Sequence, residues 1–393
     1  MNLSYRHMRA LPLSFLLVTT SLSGAFADTA GMAAERLKEI VQMQGAILEW
    51  DRIDIRGDDA VLVNVRAGTA DDELLIGDVA LNGVSNTAEG YLIKEIVFDP
   101  MEVGDETSTV SIDDAVMAGV LLPEDSQIDQ FGGSIFYEKA SIGSMSVTVS
   151  DDEVVSLSDF VTRMTAPANG EPMTYSGSAN KFYLNLTVVD DEDQQAVLQA
   201  LDLEEVTGSL SFDGYWQPTD GRFVLSHYDT VVDNAGTFGL TFDMGGYTPA
   251  FLASLRELQA QIAANPDGDT SSQGLAILGL MQQLIFHSTS VKFTDASLTN
   301  KLLNYLAETQ GMKPTDIANQ AKAVLPFLLG QLGNAELTAE AMQAVGKFLD
   351  DPKNLTVRAA PSAPVPFALL AADVMSDPKK LTKTLGVTVT AND

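Results

Sequence analysis

The first half of the chain has the alternation of polar and apolar residues that is typical of β-strands. Between about residues 46 and 244, short alternating segments are separated by Gly, Asn and Asp. The segments 53–56 and 61–65 flank Gly57 and Asp58, which are residue types of a tight hairpin turn. The other strand-like runs are 73–81, 91–98, 134–137, 145–149, 182–189, 208–212, 223–228 and 237–242. Many lie roughly 10 to 15 residues apart, which favours an antiparallel meander.

The period becomes helical after Thr248. Pro249 stands at the first position of an amphipathic run that continues to Ile262, as is common where a helix begins. Further helices are predicted at 274–286, 298–308, 315–332, with a kink at Pro326, and 338–349. Short strands are predicted at 291–293, 355–358 and 387–390. One helix, at 190–203, is predicted inside the strand-rich half.

This change of period predicts an α+β chain in two parts. An acidic, elongated antiparallel β-sheet part covers 28–247, and a helix-rich α+β part covers 248–393. Within the first part, 76–84 and 112–120 share a loose pattern in which a Gly follows the first Ile by seven residues and a Val comes next. Two such copies are compatible with chance; a true repeat would predict stacked β units in an extended sheet.

The first 27 residues have the features of a signal peptide. Arg6 and Arg9 precede an apolar run at 11–18, and small residues end in Ala25-Phe26-Ala27, an A-x-A cleavage site. The run is shorter than the roughly 20 apolar residues of a membrane-spanning helix. The prediction is therefore a cleaved signal peptide at 1–27, a mature chain without a transmembrane anchor, and a periplasmic location, with secretion as the alternative.

The negative charge is concentrated in the strand-rich part. The chain has 54 acidic and 23 basic residues; residues 28–290 hold 44 and 11 of them, whereas residues 291–393 hold ten of each. Such a surface repels phosphates, so nucleic acid and a bare anionic membrane are poor partners for the acidic part. The excess of acid has three remaining interpretations. It could bind cations, bind a basic partner, or simply keep the sheet soluble and its edges unpaired.

Residues that carry most enzymatic chemistry are scarce. There is no cysteine, which excludes thiol catalysis, thiolate metal sites and a lipidated cysteine. His227 and His287 are the two histidines after the leader, without a second histidine at ligand spacing, so a zinc site is not expected. His227 could act as a base, but its strand-like surroundings favour a surface residue. Ser178 and Lys181 match Ser-x-x-Lys, yet they enter a predicted strand and the companion motifs are missing.

Acidic clusters at 71–73, 151–153 and 190–193 raise the question of calcium binding. Residues 265–269 resemble the beginning of a calcium loop, but Ser272 and Leu278 stand where that loop needs Gly and Glu. Arg56-Gly57-Asp58 spells a cell-adhesion tripeptide, although a hairpin turn needs these residue types anyway. The sequence therefore predicts no catalytic, metal-binding or cofactor-binding residues, and no cofactor.

The layout resembles the AsmA-like and YdgA-like envelope proteins of Gram-negative bacteria. The segments 214–222 and 236–242, after an acidic succession of short strands, carry this resemblance. It implies long curved sheets, a role in outer-membrane homeostasis or lipid movement, and no catalytic residues.

Two hypotheses of function follow. The first is a non-enzymatic exported envelope protein that binds lipid or another envelope component on an apolar sheet. The second is a secreted hydrolase that uses a pair of carboxylates. Whether the protein is an enzyme is left open, and the non-enzymatic hypothesis is favoured. A wide apolar trough would favour the first, and a deep polar cleft with two facing carboxylates would favour the second. The oligomeric state is left open.

Overall fold

The computed structural model describes residues 26–69, 72–104, 107–128, 135–167, 170–189, 191–264, 270–331 and 333–393. The predicted signal peptide, apart from its last two residues, and the segment 265–269 lie outside these ranges. With 46% strand and 33% helix, the protein is mostly an antiparallel sheet with helices mainly in its C-terminal part. It is thus more dominated by sheet than an even α+β mixture.

The strands, in chain order, are β1 (Ile47–Glu49), β2 (Arg52–Arg56), β3 (Asp59–Thr69), β4 (Asp72–Asn86), β5 (Gly90–Phe98), β6 (Met101–Gly104), β7 (Ser108–Asp113), β8 (Val116–Pro123), β9 (Lys139–Val149), β10 (Asp152–Thr165), β11 (Met173–Asn185), β12 (Glu205–Gln217), β13 (Arg222–Val232), β14 (Gly236–Gly245), β15 (Ile285–Asp295), β16 (Asn354–Ala359), β17 (Val365–Pro366) and β18 (Val387–Ala391). The helices are α1 (Phe26–Met43), α2 (Glu192–Leu201), α3 (Pro249–Ala264), α4 (Thr270–Met281), α5 (Leu298–Gln310), α6 (Pro314–Gly330), α7 (Ala335–Asp350), α8 (Phe367–Ser376) and α9 (Leu381–Thr384).

The strands form one antiparallel meander. Some consecutive strands lie end to end and act as one longer strand: β1 and β2 both pair with β3, β7 and β8 both pair with β9, and β16 and β17 both pair with β15. β5 and β6 pair with β8 and β7, and β18 pairs with β16. From β3 to β5 and from β9 to β15, each strand pairs with the next one along the chain. One sheet therefore continues past residue 248 into the helix-rich part.

The strands in the middle of the sheet are interrupted at one common level. Asp114, between β7 and β8, and Asp159, within β10, have left-handed backbones with φ of 54° and 52°, which Asp tolerates better than most residues. Gly143 of β9 donates its N–H to the Asp114 carbonyl, at 3.3 Å. A Cβ on Gly143 would lie 2.8 Å from the Asp114 Cβ, so glycine is needed there. We call this line of interruptions the seam.

Helix α1 forms the largest core with the first strands. Its buried residues recur at helical spacing: Ala30, Ala33, Ala34, Leu37 and Ile40. They belong to one apolar cluster with strand residues that are also almost fully buried: Leu62, Val65, Leu81, Ile93, Val120 and Leu122. This helix therefore covers one face of the sheet at its N-terminal end.

Helix α7 packs on the opposite end of the sheet. The ring of Phe348 meets that of Phe293 edge-on, with centroids 6.3 Å apart. Beside them, the Glu340 carboxylate accepts a hydrogen bond from the Val389 N–H at 3.3 Å, and Lys347 donates to the Ala391 carbonyl at 3.1 Å. Charged side chains of α7 thereby occupy the outer edge of β18. None of the described helices is long and apolar enough to cross a membrane.

Several sequence-based elements are confirmed. The turn at Gly57 and Asp58 joins β2 to β3, with Gly57 at a φ of 69°. The helix predicted at 190–203 is α2, and Asp191 caps it by accepting the Gln194 N–H at 2.9 Å. The helices predicted after Pro249, at 298–308, 315–332 and 338–349, correspond to α3, α5, α6 and α7.

Other elements need correction. The predicted helix 274–286 is wrong at its end, because Ile285 already begins β15; an apolar run alone does not distinguish a buried helix from a strand. The strand predicted at 182–189 stops at Asn185, whose side-chain oxygen accepts the Thr187 N–H at 3.0 Å and turns the chain. Of the strand predicted at 134–137, Phe136 makes an isolated bridge to Leu121, and residue 134 lies outside the described residues. The strands β7, β8 and β10 and the helices α1 and α8 were missed.

The packing of α1 gives a first prediction. Replacing Ile40, which is fully buried, by Ala should lower the free energy of unfolding by about 2 to 5 kcal/mol, because the methyl groups leave a cavity in a dense core. Urea unfolding followed by circular dichroism measures the change. Met43, at the end of the same helix, is 50% exposed, so Met43→Ala is the matched control with little effect. Equal losses for both variants would show that α1 does not pack as described.

Candidate functional site

Two rows of apolar side chains run across the middle of the sheet on one face. Partners in antiparallel pairing lie on the same face of a sheet, as do residues two apart along a strand. The first row follows the register Val103, Val110, Val147, Val155, Leu184 and Val206. The second row follows Met101, Ile112, Met145, Leu157 and Phe182. We call this surface the apolar face.

The opposite face at the same positions is polar. Ser111 pairs with Ser146, and Ser146 pairs with Ser156. The neighbouring row pairs Thr109 with Thr148. The sheet is therefore amphipathic, with Val, Ile, Leu, Met and Phe on one side and hydroxyl and charged residues on the other.

The apolar face continues across the seam into a shallow cavity. The cavity has a volume of about 250 Å³ and is lined almost entirely by apolar atoms, from Phe98, Met101, Ile112, Ala115, Val116, Met117, Ala140, Ser141, Ile142 and Phe160. Ile112 and Ala115 lie on either side of Asp114 and are three residues apart, yet both line it. The left-handed backbone at Asp114 thus shifts the alternation, so that apolar side chains on both sides of the seam line the same cavity.

Helices bury this face at its ends but not in its middle. A row of partners leads from Leu81 in the α1 core through Ile96 and Met117 to Ala140 at the cavity. At the C-terminal end of the sheet, Phe238 of β14 pairs with Phe293 of β15. Phe293 is the residue that packs against α7. Between these ends, the residues of the two rows are half-buried or exposed, with the exception of Val206.

The exposure of this face is large for apolar side chains. Val110 is 38% exposed, and Val149, two residues beyond Val147 on β9, is 40% exposed. Contiguous exposed apolar surface is uncommon in soluble proteins and usually marks a binding surface. The face was not located from the sequence, because its rows depend on the register of six strands.

The structure brings a serine, a histidine and an aspartate together on β12 and β13. The Ser211 Oγ lies 3.1 Å from the His227 Nε2, and an Asp229 carboxylate oxygen lies 3.8 Å from the same nitrogen. In a catalytic triad, the carboxylate holds the ring nitrogen that does not contact the serine. Here both groups approach Nε2, and the His227 side chain is 43% exposed. The arrangement therefore lacks the group that would orient His227 as a base.

A polar cavity of about 480 Å³ lies beside α2. Its lining includes the carboxylates of Glu192 and Glu204, together with Thr187, Gln195 and Gln199. Both glutamates are solvent-exposed. A glycosidase pair needs one carboxyl group in apolar surroundings, which this cavity does not provide for either glutamate.

The remaining sequence motifs lie in ordinary structural positions. The Ser-x-x-Lys enzymes require the serine at the start of a helix. Ser178 lies inside strand β11 instead. Asp151 lies in the β9–β10 turn, and residues 152 and 153 begin β10. Asp191 of the third acidic cluster caps α2. Among the described residues, no group of three or more His, Asp and Glu side chains could hold a metal ion.

His287 lies beside a half-buried ion pair. An Arg222 Nη donates to Asp243 at 2.5 Å, and the second Asp243 oxygen is equally close to the Arg222 Nε. Burial lowers the pKa of His287 from its ordinary value, and the positive charge of Arg222 lowers it further, against the opposing effect of Asp243 and Asp220. The group is a structural feature of β13, β14 and β15 on the polar side of the sheet.

Part of the chain matches a known sequence family. The sequence profile of a family described as "Uncharacterized protein" matches residues 229–392. The match begins within β13 and covers the last strands together with α3 to α9, so the two apolar rows lie outside it. None of the curated proteins matches the chain.

The surroundings of His287 predict its titration. Because burial and Arg222 disfavour the imidazolium ion, the midpoint of the His287 ring signals in an NMR titration should lie below the ordinary value of about 6.5. The unfolded chain then binds more protons than the folded chain, so this group's contribution to stability is complete above about pH 6.5 and falls at lower pH. His287→Gln assigns the signals. A midpoint above 6.5 would contradict this description of the site.

Proposed function

We propose that the protein is a non-enzymatic, exported envelope protein that binds the acyl chain of a lipid, or a comparable apolar ligand, on the apolar face. The observation that carries the proposal is the pair of cross-strand apolar rows whose residues, apart from Val206, are half-buried or exposed. The leader and the resemblance to AsmA-like and YdgA-like proteins support a periplasmic location. Within this proposal, an envelope protein is the alternative partner.

The dimensions of the face suit an extended acyl chain. The first row crosses six strands, and neighbouring strands lie about 4.8 Å apart, so the row is roughly 25 Å long. A lipid chain spans about half of the roughly 30 Å hydrocarbon layer of a bilayer. The cavity at Phe160 and Ile142 lies next to the second row, which shares Met101 and Ile112 with its lining. It forms a recess in which the end of an acyl chain would be shielded from water.

The hydrolase hypothesis has less support. The polar cavity beside α2 is the best place for a carboxylate pair, but Glu192 and Glu204 are both exposed there. Ser211 and His227 are hydrogen-bonded on an exposed sheet surface without an orienting carboxylate. Neither site has the preorganised, water-excluding environment of an active site.

Two adjacent residues of β10 provide a matched test. The mature protein should bind a fluorescent fatty acid, and Leu157→Glu should weaken this binding by at least about tenfold, because a carboxylate would be placed under the acyl chain. Ser156, next to it, belongs to the polar face, so Ser156→Glu should bind like the unchanged protein. The measurement is a fluorescence titration, with circular dichroism to verify folding.

Mass spectrometry of the protein purified from its own envelope complements this test. Lipid that co-purifies with the unchanged chain and is lost from the Leu157→Glu variant supports the proposal. Equal binding by both variants, or no binding of any apolar probe, would contradict it. Turnover of a glycan or ester that disappears in a Glu192→Gln or Glu204→Gln variant would favour the hydrolase.

A further inference from the structure

Two helices of the C-terminal part expose a second apolar surface. Helices α4 and α8 pack against each other. Their outward side chains include Leu275, which is 71% exposed, and Met375, which is 84% exposed. The same helices also expose Ile277, Leu278, Leu369 and Val374. Such side chains on adjacent helices indicate a surface that meets an apolar environment.

Three lysines follow α8 directly. Lys379, Lys380 and Lys383 are all exposed. In the part of the chain that the structure describes, no carboxylate lies within ion-pair distance of their ammonium groups. The nearby acidic residues are less available: Asp373 is half-buried and accepts a hydrogen bond from Thr384 at 2.7 Å, and Asp377 is half-buried.

The lysine segment is held in place by the connection between α6 and α7. Asn334, which is buried, donates a hydrogen bond to the Thr382 Oγ at 3.2 Å. The stem of Lys379 lies over Gly333, where a Cβ would come within 2.7 Å of it. The lysines therefore have a fixed position beside α8. Near this connection, the last turns of α6 expose Phe327 and Leu328, which are 78% and 60% exposed.

We propose that this surface, formed by α4, α8 and the three lysines, docks on an anionic phospholipid bilayer. Exposed apolar side chains next to unpaired lysines are the composition of interfacial membrane-binding helices, in which the apolar groups enter the acyl boundary and the cations meet the phosphates. The three exposed lysines lie in a part of the chain without excess acid, and their positive charge is complementary to the phosphates of an anionic bilayer.

The distribution of charge sets the orientation of docking. The excess acid lies in residues 28–290, whereas residues 291–393 are neutral and contain the lysines. An anionic bilayer therefore repels the acidic part and attracts the lysine segment, so the protein approaches through its C-terminal helices. Docking goes beyond the proposed binding of a ligand on the apolar face and involves different residues.

Vesicle co-sedimentation tests the docking. The mature protein should sediment with vesicles of equal amounts of phosphatidylcholine and phosphatidylglycerol, and not with pure phosphatidylcholine vesicles. The triple variant Lys379→Gln, Lys380→Gln and Lys383→Gln should partition about 100-fold more weakly, since each lysine near an anionic surface contributes about 1 kcal/mol, or about fivefold. Binding should decrease at high salt. Met375→Asp, at a highly exposed position, should also weaken it without affecting folding.

Matched controls separate this proposal from general charge effects and from the apolar face. The variant Lys139→Gln, Lys292→Gln and Lys353→Gln has the same net charge as the first triple variant and changes exposed lysines elsewhere, so it should bind like the unchanged protein. Leu157→Glu should still bind vesicles, because it alters only the ligand surface. Equal weakening by the two triple variants, or no binding of phosphatidylglycerol vesicles, would overturn the proposal. So would a dimer that Met375→Asp dissociates without any vesicle binding.

Discussion

Cross-strand register is the constraint on which this structure depends. A slip of one residue would turn the apolar side chains of a strand to the polar face. Asp114, Gly143 and Asp159 lie side by side on neighbouring strands, and the pairing register is the same on both sides of them. Because these interruptions are aligned, the change from odd to even positions occurs in neighbouring strands together. One face therefore remains apolar along the whole length of the strands.

This alignment explains why the residue types at the seam are so restricted. Positions 114 and 159 require residues that accept a left-handed backbone, and both are Asp. Position 143 requires glycine, because a Cβ there would collide with the Asp114 side chain. Acidic residues at these positions are thus part of the folding of the sheet. The negative charge of the strand-rich part consequently has two sources: residues that shape the strands, and residues of the polar face that keep a half-covered sheet soluble.

The sequence predicted the kind of structure better than its details. The alternation around Gly57 and the periodicity after Pro249 depend on neighbours along the chain, and both the hairpin and the helix are present. The strand β10 was missed because the left-handed Asp159 shifts its alternation from odd to even positions in mid-strand. Helix α1 was missed because residues 28–43 were counted with the β-rich part, although Ala30, Ala33 and Leu37 have helical spacing.

The candidate site was less predictable than the fold. The sequence excluded thiol chemistry and a histidine-based metal site, but it could not join Val110, Val147 and Leu184, which become neighbours only through the register of four strands. For the same reason, the partner of His227 could not be found: Ser211 lies 16 residues earlier and on another strand. Surfaces built across strands require the register, whereas α8 and the lysines after it form one continuous segment of the chain, although this helix was missed as well.

The two proposed surfaces are connected through aromatic side chains. The ring of Phe367, at the start of α8, meets Phe286 edge-on with centroids 6.1 Å apart, and Phe286 lies 6.4 Å from Phe242. Phe242 pairs with Leu225, and Leu225 pairs with Gly214 of β12, the strand that also carries Val206 of the apolar face. The helix of the proposed docking surface is thereby packed on the sheet that carries the proposed ligand surface. Under the two proposals, the lysines would attract headgroups where the chain is neutral, and the acidic sheet would keep the ligand surface away from the phosphates. This division of charge gives one reason for concentrating the acid in the strand-rich part.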